Sequence, residues 1–126
     1  MYELITIQEF SAAHRLRGYP GKCERLHGHN WKVEVRVHSE VLDTVGMVVD
    51  FTSLKEMTAK VLKDLDHCDL NALPAFETQN PSAENIARYI YLRLKETLAG
   101  STAKICNVVV WESETTAALY FEGPPK

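Results

Sequence analysis

The longest unbroken pattern in the chain is an alternation. Between His29 and Val41, Trp31, Val33, Val35 and Val37 take every second position, and Lys32, Glu34, Arg36 and His38 fill the positions between them. A period of two marks a strand with one buried and one wet face, usually in an antiparallel sheet. Residues 1–14 read as another strand, carrying Ile5, Ile7 and Phe10, and a polar stretch punctuated by Gly18, Pro20 and Gly21 follows. Residues 45–51 are expected to form a short strand or extended return. The period then changes. Leu54, Met57, Val61, Leu62 and Leu65 recur at helical spacing, and Ser53 with Glu56 three residues on has the form of a capping box. This helix is expected to end near Asp66 and His67. Asn80-Pro81-Ser82 opens a second helix with Ile86, Ile90, Leu94 and Leu98 as its buried stripe and Gly100 as its stop. Strands at 104–112 and 117–121, joined by a turn at 113–116, complete the chain. The order β-β-α-α-β-β predicts an α+β fold, a four-stranded antiparallel sheet with two helices on one face. So small an open sheet exposes two edges. Covering them against other copies is one solution, so a symmetric homo-oligomer is expected.

Composition narrows the classes. With 126 residues the chain is long enough for one domain, spanning 1–126, and too short for two. The formal net charge is -3 and no basic stripe is visible, so a nucleic-acid partner is not expected. No apolar run approaches the ~20 residues of a membrane span. Residues 1–10 carry Glu3 and Glu9 and lack the apolar centre of a signal peptide. Cys23, Cys68 and Cys106 are an odd number without framework spacing, which fits free thiols in a reducing cytoplasm. Arg15, Arg17, Lys22 and Arg25 are the cations within reach of a small anionic substrate.

Chemistry concentrates in Cys23-Glu24-Arg25-Leu26-His27-Gly28-His29, with His14 on the strand before it. On an extended strand His27 and His29 point to one face, and His14 can join them from a neighbouring strand. Three imidazoles leave a tetrahedral metal with one open position, the arrangement of a catalytic zinc. The alternative is that His27 and His29 flank a turn and bond the backbone. His38 falls in the wet register and reads as a surface residue. Cys23 sits among cations that favour its thiolate, as base or nucleophile; a buried, inert thiol is the other reading. Asp66 and His67 read either as a carboxylate-held proton relay or as a solvated helix end. Glu112, after the apolar run Val108-Val109-Val110-Trp111, reads either as a bidentate acceptor for an amidine-like ligand edge or as the first exposed residue past a strand.

Six segments in order, Phe10 to Leu16, Cys23 to His29, Gly46 to Phe51, Leu65-Asp66-His67, Asn80 to Asn85 and Trp111-Glu112-Ser113, resemble the 6-pyruvoyl-tetrahydropterin synthase family over nearly the whole chain. The resemblance is strongest to its bacterial members that form 6-carboxy-5,6,7,8-tetrahydropterin for queuosine synthesis. It implies the tunnelling fold, in which three subunits close their sheets into a barrel and two trimers stack into a hexamer with active sites between subunits. It implies one zinc per subunit held by His14, His27 and His29, and Cys23 as the catalytic base. An Asp66 and His67 pair would be contributed by a neighbouring subunit, and Glu112 would anchor the pterin. Ser82 falls where relatives place a hydroxyl near the pterin, with Ala83 in place of a second. The implied substrate is 7,8-dihydroneopterin triphosphate.

Glu24 departs from many carboxy-type members, which carry a small or neutral residue there. Relatives with a glutamate in this loop are associated with cleavage to 6-hydroxymethyl-dihydropterin for folate synthesis, so Glu24 is a possible alternative base or a solvated side chain. Formation of 6-pyruvoyl-tetrahydropterin is a further variant. A non-enzymatic metal-binding protein would account for the histidines but not for Cys23, Asp66, His67 and Glu112 together. A cysteine hydrolase would lack an evident oxyanion hole.

Overall fold

Two thirteen-residue strands, β1 (Tyr2–His14) and β2 (His27–Ser39), pair antiparallel along their full length and form the centre of the sheet. The computed structural model describes residues 1–21 and 24–123. Helix α1 (Phe51–Lys63) follows, then a two-residue strand β3 (Cys68–Asp69), helix α2 (Ala83–Thr97), and strands β4 (Lys104–Trp111) and β5 (Ala117–Tyr120). The sheet order is β3-β1-β2-β4-β5. Four strands are antiparallel, as expected. The fifth, β3, runs parallel to β1, so the sheet is mixed rather than a four-stranded antiparallel one. Two residues cannot display a period, and β3 exists because the chain leaving α1 is drawn onto the edge of β1.

The alternation read in β2 holds: Trp31, Val33, Val35 and Val37 are wholly buried. With Phe10 and Ala12 of β1 and Val108 and Val110 of β4 they meet Leu54, Val61 and Leu62 of α1 and Ile86, Ile90 and Leu94 of α2 in one core. Both helices therefore cover one face of the sheet. The other face carries Ile5 and Ile7, which are exposed, beside Lys32, Glu34 and Arg36, which are half-buried.

Three boundaries differ from the sequence reading. Residues 45–51 form no strand. Asp43 Oδ1 accepts from the backbone N–H groups of Val45 and Met47, and Gly46 takes a left-handed φ of 85°, so this segment is a tight turn. Helix α1 is capped by Asp50, whose carboxylate accepts from Thr52 N at 2.7 Å, and so begins three residues earlier than a Ser53 cap would set it. It also stops at Lys63 with Asp64 as C-cap, short of Asp66 and His67. The second helix follows the reading: Ser82 is its N-cap, accepting from Asn85 N at 3.2 Å.

Candidate metal centre and surrounding site

Register builds the centre. Phe10 lies opposite Trp31, Ala12 opposite His29 and His14 opposite His27, so the three histidines emerge from one end of the central pair on the helix-covered face. One ligand atom from each lies within 4.8 Å of the others. The rings pack edge to face, with centroids 4.7 Å apart for His14 and His27, 4.8 Å for His27 and His29, and 5.2 Å for His14 and His29. Trp31 closes the floor. It stands two residues after His29 on the same face, wholly buried, with its ring 4.9 Å from His14 and 5.1 Å from His29.

Backbone carbonyls select the tautomers. His14 Nδ1 donates to the Pro81 carbonyl at 2.7 Å, and His27 Nδ1 donates to the Arg25 carbonyl at 2.7 Å. Each Nε2 is thereby left with a lone pair. The Nε2 atoms of His14 and His29 are buried without a hydrogen-bond partner. The orphaned acceptor on His14 would cost stability if nothing used it, and with the Nε2 atoms of His27 and His29 beside it the arrangement fits a metal ion whose ligands are oriented from behind. Burial holds both His14 and His29 below the ordinary imidazole pKa of 6.5; the carbonyl of Pro81 and the charge of Glu112 oppose this without reversing it. Both rings are neutral at neutral pH, which is the ligating form. The backbone bond expected under the alternative reading is present at His27, and it leaves that ring's Nε2 open.

Glu112 follows directly on β4, and its Oε1 lies 3.5 Å from His29 Nε2. The same residue lines a cleft of about 460 Å³ with Ala83 and Glu84 of α2 and residues 116–119. It therefore stands between the histidines and a space large enough for a small ring system. Ser82 is near that cleft in sequence, but its hydroxyl is engaged as the cap of α2.

Asp66 and His67 do form the expected pair, with His67 Nδ1 2.9 Å from Asp66 Oδ1. The N–H of Ser11 donates to Asp66 Oδ1 at 2.9 Å, and Ser11 O accepts from His67 N. Chiefly through the Ser11 N–H, and then through His67, the Asp66 carboxyl is held below its ordinary pKa. His67 adopts a left-handed φ of 58°, and its side chain is 81% exposed. The pair hangs from the edge of β1 that faces away from β2, whereas the three histidines stand on the β1 and β2 pair itself. Glu24 is described and exposed, its N–H bonded to Gly21 O at 3.2 Å. Cys23 and Lys22 lie outside the described residues. His38, read as a surface residue, is half-buried, with Nδ1 3.3 Å from Met1 Sδ.

The model of the family described as 6-pyruvoyl tetrahydropterin synthase matches residues 3–123. The chain belongs to this family. It is 40% identical to 6-carboxy-5,6,7,8-tetrahydropterin synthase of Synechocystis over 124 residues, covering 93% of this chain and 92% of that protein. It is 38% identical to dihydroneopterin monophosphate aldolase of Pyrococcus furiosus over 109 residues, covering 86% of this chain and 88% of that one. The structure of Caenorhabditis elegans 6-pyruvoyl tetrahydropterin synthase superposes with a TM-score of 0.87 at 30% identity, covering 97% of this chain and 96% of that one.

Two contributors escaped sequence reasoning. Trp31 was read only as core, although its position two after His29 on one face would have placed it under the cluster. Arg17 was read as a cation for an anionic substrate. Its guanidinium is instead consumed by the chain: Nε bonds Asn80 Oδ1 at 3.2 Å, and its terminal nitrogens bond the carbonyls of Phe76, Glu77 and Gln79. No spacing rule reveals that partnership, because its partners are 59 to 63 residues away.

Proposed function

We propose that this chain is a zinc-dependent lyase that converts 7,8-dihydroneopterin triphosphate and one water to 6-carboxy-5,6,7,8-tetrahydropterin, acetaldehyde and triphosphate, for 7-deazaguanine (queuosine) synthesis. The observation that carries this reading is the convergence of three imidazoles, two with buried unpartnered Nε2 atoms, beside Glu112 at the mouth of a cleft. His14, His27 and His29 would hold the ion. Bound zinc supplies Lewis-acid polarisation of side-chain hydroxyls and acidifies the adjacent C–H. Cys23, as thiolate, takes a side-chain proton. His67, held in one tautomer by Asp66, delivers a proton elsewhere on the substrate. The net result is an internal redox rearrangement that needs no nicotinamide. Glu112 accepts a pair of hydrogen bonds from the amino and amide edge of the pterin and fixes its register; Ser82 adds a weaker polar contact. Among the described residues no helix is long and apolar enough to cross a membrane, and Cys68 and Cys106 form no disulfide; both are compatible with work in the cytoplasm.

A second reading draws on Glu24 and on the aldolase of Pyrococcus furiosus. A carboxylate is a weaker base than a thiolate but suffices for a retro-aldol cleavage of dihydroneopterin, or its phosphates, to 6-hydroxymethyl-7,8-dihydropterin. One assay separates the two. Zinc-loaded protein is incubated with 7,8-dihydroneopterin triphosphate, and separately with the dephosphorylated compound, and products are identified by mass spectrometry. Carboxy-tetrahydropterin with acetaldehyde is expected from the triphosphate, and Glu24→Gln is expected to leave that product intact. Hydroxymethyl-dihydropterin as main product, lost in Glu24→Gln, would move the protein to the folate route.

The placement of Asp66 and His67 on the outer edge of β1 favours a site completed by a second copy, within a hexamer of two stacked trimers. Mixing two inactive variants, His29→Ala and His67→Ala, under conditions that allow subunit exchange should restore measurable turnover. A mixture as inactive as its components, or a stable monomer by light scattering, would rule out the shared site.

A further inference from the structure

We propose that Arg17 is a positioning residue for the metal site, acting through the loop that carries Pro81. This rests on reading His14, His27 and His29 as metal ligands. The segment between the turn at Pro74–Phe76 and the start of α2 has no regular structure, and the carbonyls of Phe76, Glu77 and Gln79 all accept from the one guanidinium. Asn80 is gripped from both sides. Its Oδ1 accepts from Arg17 N at 2.9 Å and from Arg17 Nε at 3.2 Å, and its Nδ2 donates to Arg17 O at 3.0 Å. Its carbonyl accepts from Asn85 Nδ2 at 2.9 Å. The next residue is Pro81, whose carbonyl receives the His14 Nδ1 proton. The path is therefore short and continuous: guanidinium, loop carbonyls and Asn80, Pro81 carbonyl, His14 tautomer, Nε2 lone pair.

An arginine suits this task for a physical reason. Its planar fork presents five donors in fixed directions, so several acceptors can be held in one relative arrangement. A lysine at this position offers a point charge and cannot reproduce the fork. With the guanidinium removed, three loop carbonyls lose a donor and Asn80 is held only by backbone groups of residue 17 and by Asn85. The Pro81 carbonyl is then free to shift, and His14 is free to turn or change tautomer.

Zinc affinity by chelator competition, the visible absorption of the cobalt-substituted protein and the melting temperature of the metal-free protein are compared for wild type, Arg17→Ala, Arg17→Lys and Gln79→Ala. Gln79→Ala removes a side-chain bond to Ala75 O in the same loop without touching Asn80, and so controls for loop stability alone. Arg17→Ala is expected to weaken zinc binding by about 10- to 100-fold, the range typical of lost outer-shell partners, and to alter the cobalt spectrum. Arg17→Lys should not restore either, and Gln79→Ala should leave both as in wild type. Zinc bound as tightly by Arg17→Ala as by wild type, with only the melting temperature lowered, would overturn the proposal. Should Arg17→Ala fail to fold, Asn85→Ala loosens the same Asn80 peptide, and unchanged zinc affinity there would overturn it equally. Wild-type protein that binds no zinc would instead bring down the metal reading itself, and this inference with it.

Discussion

Replacing Cys23 by alanine is expected to abolish synthase turnover while zinc content and fold stay as in wild type. Cys23 is four residues before His27, between Lys22 and Glu24, with Arg25 beyond. On the proposed reading, its cationic neighbours in sequence and a metal held by the histidines would favour the thiolate, the form that can act as base. Loss of a general base typically costs about 10²- to 10⁴-fold in rate. The three histidines and the carbonyls of Arg25 and Pro81 that orient two of them are unchanged in this variant, so the metal is expected to remain. The measurement is steady-state turnover of the triphosphate substrate beside zinc content by elemental analysis. A variant with wild-type rate would remove the thiolate from the mechanism.

Replacing His29 by alanine should have the opposite signature, a loss of metal with the fold retained. On the proposed reading His29 would give one of three ligand atoms, and an outer-shell loss alone costs about 10- to 100-fold in affinity; loss of a ligand should exceed that. His14 is the poorer choice for this test because it is 1% exposed and packed on Trp31, so its removal would also open a cavity. At His29 the side chain is half-buried and borders Glu112 and the cleft. Zinc occupancy well below one per chain, with an unchanged far-ultraviolet spectrum, is the expected result. Full occupancy would remove His29 from the ligand set.

The three histidines could be found from the sequence because their geometry follows from a period. Two residues apart on a strand means one face, and once β1 pairs with β2 the register brings His14 opposite His27. The helices and β2 were legible for the same reason, because their hydrophobic repeats span many residues; β4 showed as an apolar run and the four-residue β5 as its partner across a turn. What escaped depends on single contacts. The turn at 43–47 is set by one carboxylate, and the start of α1 by Asp50 rather than by the box-like Ser53 and Glu56. Strand β3 arises from the edge of β1 reaching two residues of a passing loop. Arg17 is the clearest case, since nothing near it in the chain announces carbonyls some sixty positions on. Asp66 and His67 show the limit from the other side. Adjacency left their contact open beside a solvated helix end, and it could not say which edge of the sheet they occupy.

The pairing of His14 with His27 has one more consequence, for the chain between them. The chain leaves the sheet after His14 and returns to it at His27. With an ion held by both, the two ends are staked to the same point. Cys23 then lies on a tether of four residues from His27, and even a fully extended chain gives it a radius of only about 14 Å. If the proposed site is right, a thiol confined to so small a volume would meet a substrate held at the histidines at a high effective concentration. On that reading the four-residue spacing of Cys23 and His27 would act as a leash, delivering the base by chain length.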